Sequence, residues 1–507
     1  MDTPGKTAES IKSYWCSNKK EFIFLFVIAC GSLILLLANL GNHYLWCDEA
    51  QTACISKTVL TSGLPRGYDG KNFFSMEQGA DFGHGYVWRW HSWLQFYVLA
   101  GFYKVFGVST FVSRLPFALF GFGTILMTYF FARSLWPDTH IPEIAAALLT
   151  LSVPFLLLCR QCRYYSLVMF FSVLSLYAYV ALLQKKKYAS VLLFFAAMML
   201  FHSMHIYIFV LCAALFSHAV IFHRDRLVKL VIVLAAAILF VLPWMIWMAT
   251  MKYSNWLIPV PFIKFVLKIY LGYFFGYIFP VWMLAVALVA GGVKLAKNGY
   301  SLKGGGLFLD KIMLPVFFII FNIVLMIILV PFFYFRYLAP AIPLAIILIA
   351  VIVYTLAEAH FLFAAATVVV LIATSQLNDF IYEITHDYIG PAKCISRYLN
   401  EHGRPDDIVA THWWVIPLMF HTDMKVLCDF PPGDVELAVN ARWIITSRFG
   451  PDSEMFKFLK TNIDWSRYKK IELDCPDISS ENREDPKEHF FRTFSSEDKV
   501  LIYERID

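Results

Sequence analysis

Charge is scarce in this chain. Asp, Glu, Lys and Arg make up 16% of its 507 residues, against about 25% in soluble globular proteins, which excludes a water-facing shell around one core. The net charge of +6 is scattered through short connections and nowhere gathers into a basic arm, so nucleic acid is excluded as a partner. Cysteine spacing for a structural zinc site is lacking too. Cys159 and Cys162 form a lone C-x-x-C with no second pair to complete four ligands, and they read as small packing residues. Cys47 and Cys54, seven apart on a helix, would stand roughly 10 Å apart along its axis, beyond disulfide reach. Repeats, heptads and low-complexity tracts are absent. So are Gly/Pro-broken helix pairs recurring in symmetric halves, the pattern of a transporter.

What the chain has is apolar length: 59% of its residues are hydrophobic and 17% aromatic, the composition of a polytopic α-helical membrane protein. Residues 22–40 carry no charge over about the length that spans a bilayer. Further apolar runs follow at 93–106, 111–133, 142–158, 164–183, 188–201, 206–222, 228–248, 270–292, 312–330, 338–356 and 361–378, many ending in Trp or Tyr. No small-residue cleavage site follows the first run, and Lys6, Lys12, Lys19 and Lys20 precede it, so a retained anchor with a cytoplasmic N-terminus is expected. The basic connections at Lys185 to Lys187, Arg224 to Lys229 and Lys294 to Lys311 are expected inside. Parity then requires 93–106 to lie along the outer face as a juxtamembrane helix, leaving eleven crossings. This divides the chain into a cytoplasmic segment 1–21, a transmembrane region 22–378 with a first outer loop at 41–92, and an outside region 379–507. The last has β-prone segments at 407–411, 425–428, 443–447, 470–474 and 500–503 and a helical pattern at 392–401, predicting a small α/β domain.

Asp48 and Glu49 stand just beyond the first apolar run, and carboxylates at the mouth of a membrane bundle mark a candidate functional site. The alternative is a solvated acidic helix start. Around them the sequence shows an order of motifs: Asp48-Glu49-Ala50, Gly63, His91 followed by Phe106-Gly107-Val108, Arg114-Leu115-Pro116 with Gly121, and later Phe335-Arg336-Tyr337-Leu338-Ala339-Pro340 with Pro343. This order resembles the protein O-mannosyltransferase and lipid A aminoarabinose-transferase group of GT-C membrane glycosyltransferases. The likeness covers most of the membrane region and is vague over the tail. Where relatives carry His-Pro-Pro or Glu-Lys-Pro-Pro, this chain has Trp90-His91-Ser92-Trp93, so a second loop carboxylate is missing and Glu77 and Asp81 are the nearest substitutes. Where several relatives have an outer-turn Asp, it has Arg160, Gln161 and Arg163.

The resemblance implies an inverting transfer of a sugar from a polyprenyl-phosphate donor to a hydroxyl of a lipid, glycan or protein at the outer face; the retained anchor and the absence of an ER signal favour a prokaryotic inner membrane. A non-catalytic scaffold or a transporter of polyprenyl-linked glycan is the alternative. Such a transfer needs a carboxylate to take the acceptor's proton and fixed cations for the departing phosphate. The resemblance places the base on Asp48, with Glu49 orienting the site. The topology count puts Arg160, Arg163 and Arg336 at outer helix ends, where they could hold phosphate or reach lipid headgroups; His91 and Tyr337 join them as substrate-binding candidates. Lys71, Arg89 and Lys252 are weaker cation candidates, and Trp244, Trp247 and Trp256 are belt aromatics that could stack on sugar. His202 and His205 could share a divalent ion as the only candidate cofactor, though interfacial histidines without a metal are commoner. Pro340 and Pro343 are expected to bend the helix after Arg336.

Overall fold

The computed structural model describes residues 19–249, 260–297, 305–330, 332–431, 433–449 and 453–506; Lys6, Lys12, Lys252 and Trp256 lie outside them. Five helices are long and apolar enough to cross a membrane: Thr110–Leu135, Tyr165–Leu183, Arg224–Met248, Phe308–Leu329 and Ala341–Ala359. Four shorter apolar helices join them, Glu21–Leu37, Leu94–Phe106, Ala189–Ser203 and Tyr207–Phe222. Phe26, Leu239, Leu288 and Phe361 are among many large apolar side chains left exposed, the surface of a protein whose solvent is lipid.

Three runs that read as single spans are broken. Ile141–Thr150 meets Val153–Cys159 at 63°, Phe262–Ile278 meets Trp282–Lys294 at 67°, and Phe361–Ala373 meets Leu377–Thr385 at 51°. Each break has a local cause. Pro154 starts a new helix where its missing N–H costs nothing. A π-helical turn at Phe274–Ile278 precedes Pro280. Gln376 adopts a left-handed backbone. Pro340 and Pro343, expected to bend a helix, instead begin one: Pro340 caps Ala341–Ala359 and Pro343 lies in its first turn.

Two glycines of the motif order have structural reasons. Gly63 ends the Cys47–Ser62 helix at φ +73°, the left-handed position glycine favours. A Cβ on Gly121 would lie 2.7 Å from Cys159, so glycine lets the Thr110–Leu135 helix touch the turn that carries Arg160 to Arg163.

The tail forms a five-stranded sheet in the order β2-β1-β3-β5-β4, from Ile408–Thr411, Lys425–Leu427, Trp443–Thr446, Tyr468–Pro476 and Lys499–Arg505 for β1 to β5. β1 runs parallel to β2 and β3, and β5 antiparallel to β3 and β4. All five strands fall on the segments read as β-prone. The sheet is fastened to the loop after the first helix. Asn72 donates to Met424 O at 3.1 Å and accepts from Val426 N at 3.0 Å, extending the edge at β2. Lys71 donates to the carbonyls of Pro405 and Asp423, and a Cβ on Gly79 would meet the Phe430 ring at 2.7 Å. His421 accepts from Leu45 N at 3.2 Å. Burial pushes its pKa down to about 3, so it stays neutral and able to accept.

Candidate active site

The Cys47–Ser62 helix begins with Asp48 and Glu49 in its first turn, where its dipole favours negative charge. Successive positions on a helix point about 100° apart, and the two carboxylates enter different pockets. Glu49 is fully buried. Its Oε1 accepts from Arg114 Nε at 2.7 Å and Cys162 N at 2.7 Å; its Oε2 accepts from Arg114 Nη2 at 2.6 Å and Asn482 Nδ2 at 3.0 Å. Those four bonds fill a carboxylate's accepting capacity. Arg114 is held in turn by Leu40 O and His43 O. Glu49 therefore locks the first loop to the Thr110–Leu135 helix and the tail, and no lone pair is left to take a substrate proton.

Asp48 is different. Its Oδ2 meets Arg336 Nη1 at 2.8 Å and Arg163 Nη2 at 3.5 Å, while Oδ1 takes no hydrogen bond from any described residue. Arg163 also donates to Asp48 O at 3.1 Å and Thr52 Oγ1 at 2.9 Å, and stands 3.4 Å from His91 Nε2. Arg336, on the turn Phe335–Leu338, lies against the rings of Tyr334 and Tyr337 and reaches Tyr165 OH at 3.4 Å. Its Nη1 is also 3.4 Å from Glu484 Oε1. Burial first, then Arg163 and Arg336, hold the His91 pKa well below its ordinary value, so the ring is neutral. Arg336 Nε, Arg163 Nε and His91 Nδ1 are buried without a hydrogen-bond partner. They are three of several such atoms among the described residues, and all three belong to residues in contact with Asp48 or with its partner Arg163.

The structure thus gathers Asp48, Arg163, Arg336, His91 and Tyr337 in one cluster with Glu49 beside it. Arg160 goes elsewhere. Its Nη1 donates to Leu35, Leu36 and Ala38 carbonyls at 3.1, 3.0 and 2.9 Å, satisfying the open end of the Lys19–Leu37 helix, whose last carbonyls have no partner within it. His202 packs on Phe201 and Trp244, and His205 on Phe201. Neither joins a group of three metal donors. The one such group among the described residues is His218, His223 and Asp310, where both rings reach Asp310 Oδ1 at 3.1 and 3.0 Å and Tyr179 OH meets His218 Nδ1. Those contacts satisfy one another as a hydrogen-bonded staple. Asp81 is held by Ser75 and Met76 N in the first loop, and Arg89 stacks on Trp247.

Sequence reasoning missed the tail's share: Asn482 on Glu49, Glu484 on Arg336, and His489 at 2.7 Å from Glu383, which also faces His43. The stretch Ser479 to Asp485 has the composition of a solvated loop, and no periodicity marks it. Near it lies an apolar groove of about 390 Å³ between helices, bordered by Leu148, Pro154, Tyr277, Ile346, Pro486 and Lys487. Tyr277 packs on Phe335, next to Arg336.

Residues 91–247 match the family described as dolichyl-phosphate-mannose-protein mannosyltransferase. The fold is similar to that of ArnT from Cupriavidus metallidurans, in a crystal structure bound to undecaprenyl phosphate and in another of the apo state. In each case the TM-score is 0.55 at 12% identity, over 96% of this chain and 98% of that one. At that identity the likeness establishes the fold. The curated proteins give no match. The family match over residues 91–247 and the fold over nearly the whole length both agree with the motif order.

Proposed function

We propose that the protein transfers a sugar from a polyprenyl-phosphate donor to an acceptor hydroxyl with inversion, Asp48 acting as the base and Arg336 and Arg163 holding the phosphate. The observation that carries this reading is the pair of arginines on one carboxylate with Arg336 Nε, Arg163 Nε and His91 Nδ1 unpaired around it. In the transfer the acceptor oxygen bonds to the anomeric carbon, the bond from that carbon to the phosphate oxygen breaks, and its electron pair stays on the phosphate. The acceptor proton passes to Asp48. Phosphate binding would draw both guanidinium groups from Asp48 and release it as a base, while charge growing on the leaving phosphate tightens its hold on them. Glu49 is a positioning residue. The groove beside Tyr277 and Pro486 suits the donor's apolar chain, as undecaprenyl phosphate is bound by ArnT.

We also propose eleven crossings: the five long helices, the three bent pairs taken as one span each, and the short helices other than Leu94–Phe106, a reading that the five to eight spans of sufficient length support. Leu94–Phe106 begins beside His91 and ends shortly before Arg114, and both reach the Asp48–Glu49 cluster. This supports reading it as a helix that starts and finishes at one end of the bundle, the end that the proposal assigns, with the site and tail, to the outer face. A division at about residue 378 remains part of the proposal, with Leu377–Thr385 as the junction, since it holds Glu383 against His489 of the tail.

The test is Asp48→Asn, which keeps size and removes basicity. Turnover should be lost while undecaprenyl phosphate binding persists; near wild-type turnover would falsify the assignment.

A further inference from the structure

Glu484 is a second carboxylate in a site whose reaction needs one. It comes from the connection between β4 and β5, its side chain is 8% exposed, and it lies 3.4 Å from the Arg336 Nη1 that also holds Asp48. We infer that Glu484 is an internal competitor of the donor phosphate, occupying Arg336 until the donor arrives and leaving as it binds.

Charge accounting is the first argument, and it rests on the assignment of Arg336 and Arg163 to the phosphate. Arg163 and Arg336 carry two positive charges; Asp48 and Glu484 carry two negative ones. The four balance without a substrate, as a buried group of charges must. A sugar phosphodiester adds one negative charge. If Glu484 stayed, the site would be left with net negative charge at a point where more is about to develop. If Glu484 leaves, two arginines face Asp48 and one phosphodiester, and balance is restored. After transfer Asp48 carries the acceptor's proton and the lipid phosphate carries two charges, again matched by two arginines. Balance holds from donor complex to product only with Glu484 out.

The second argument is geometric. Flanking residues are pinned: Glu481 accepts from Ala392 N at 2.8 Å, Asn482 bonds Glu49 and accepts from Gln161 at 2.9 Å, and His489 bonds Glu383. Between these anchors, residues 483–488 hold partly to themselves, through Arg483 with Glu488 and Ser480 and through Glu488 N with Asp485 O. They hold partly to the groove's own wall, where Tyr277 OH donates to the Asp485 carboxylate, while Arg483 O meets His489 Nδ1 at 2.7 Å. Pro486 and Lys487 of that segment border the apolar groove. A lipid entering the groove therefore meets the segment that carries Glu484. One movement would open the groove's edge and withdraw the carboxylate.

The experiment is equilibrium binding of undecaprenyl phosphate to the full chain in lipid nanodiscs, with hydrogen exchange followed over 483–488. Arg336→Ala should bind about tenfold more weakly and Glu484→Gln about tenfold more tightly than wild type. Exchange over 483–488 should rise on lipid addition in wild type and be high throughout in Glu484→Gln. Unchanged binding by Arg336→Ala overturns the phosphate assignment and the competitor with it. Weaker binding by Arg336→Ala together with unchanged or weaker binding by Glu484→Gln overturns the competitor alone. Should Glu484→Gln not fold, Glu484→Asp, one methylene shorter, should also bind more tightly; wild-type or weaker affinity there overturns the proposal. A purely structural Glu484 would not yield tighter binding.

Discussion

Asp48 and Glu49 are neighbours in sequence with opposite surroundings. The Glu49 pocket is closed: four donors fill it, and they come from the Thr110–Leu135 helix, the turn after Val153–Cys159 and the tail. The Asp48 pocket is open at Oδ1, and its two arginines and the nearby His91 each keep one buried nitrogen without a partner. One carboxylate is saturated and holds the architecture, whereas the other is under-satisfied and able to change partners. Adjacent carboxylates on one helix can thus differ, one fixed in a closed cage and one free to change partners.

The largest expected effect tests the open side. Asp48→Asn should slow the transfer step by about 10²-fold or more, measured by single-turnover sugar transfer on the folded variant. Arg114→Ala breaks the closed side and leaves Glu49 buried without its main partner, a loss of about 3–5 kcal/mol read from denaturation in detergent. Asn482→Ala removes one of the four bonds to Glu49. It should cost about 1–3 kcal/mol, and unchanged stability would mean that the tail does not lock this pocket. The smallest effect concerns Glu481, whose Oε1 accepts from Ala392 N while Oε2 is buried without a partner. Burial raises its pKa to about 7, so the folded protein binds a proton that the unfolded chain has lost. Stability should fall as pH rises from the ordinary carboxylate range through 7. Glu481→Gln should flatten that slope, as unfolding across pH 5 to 8 would show.

Much of this comparison was legible in the sequence, though not all of it. The apolar runs placed the helices because span length depends on composition, and the five tail strands were visible as short β-prone segments. The motif order placed Asp48, Arg336 and His91 in one site. The divergence of Asp48 and Glu49 followed from helical geometry. The bends stayed hidden because the apolar runs continue through them, and Arg160 misled because a cation at a helix end suits a phosphate and a row of free carbonyls equally well. Asn482 and Glu484 were invisible for a different reason. Their partners lie hundreds of residues away, and their type matters only once the loop is docked.

The bond from Asn482 to Glu49 spans 433 positions, and a ribosome makes the chain from one end. At about 5–20 residues per second, Glu49 is synthesised tens of seconds before the residue that completes its cage. Through that interval the nascent membrane region holds an acidic site without its final donor. The cage around Glu49 is therefore closed late, only after more than four hundred further residues have been made.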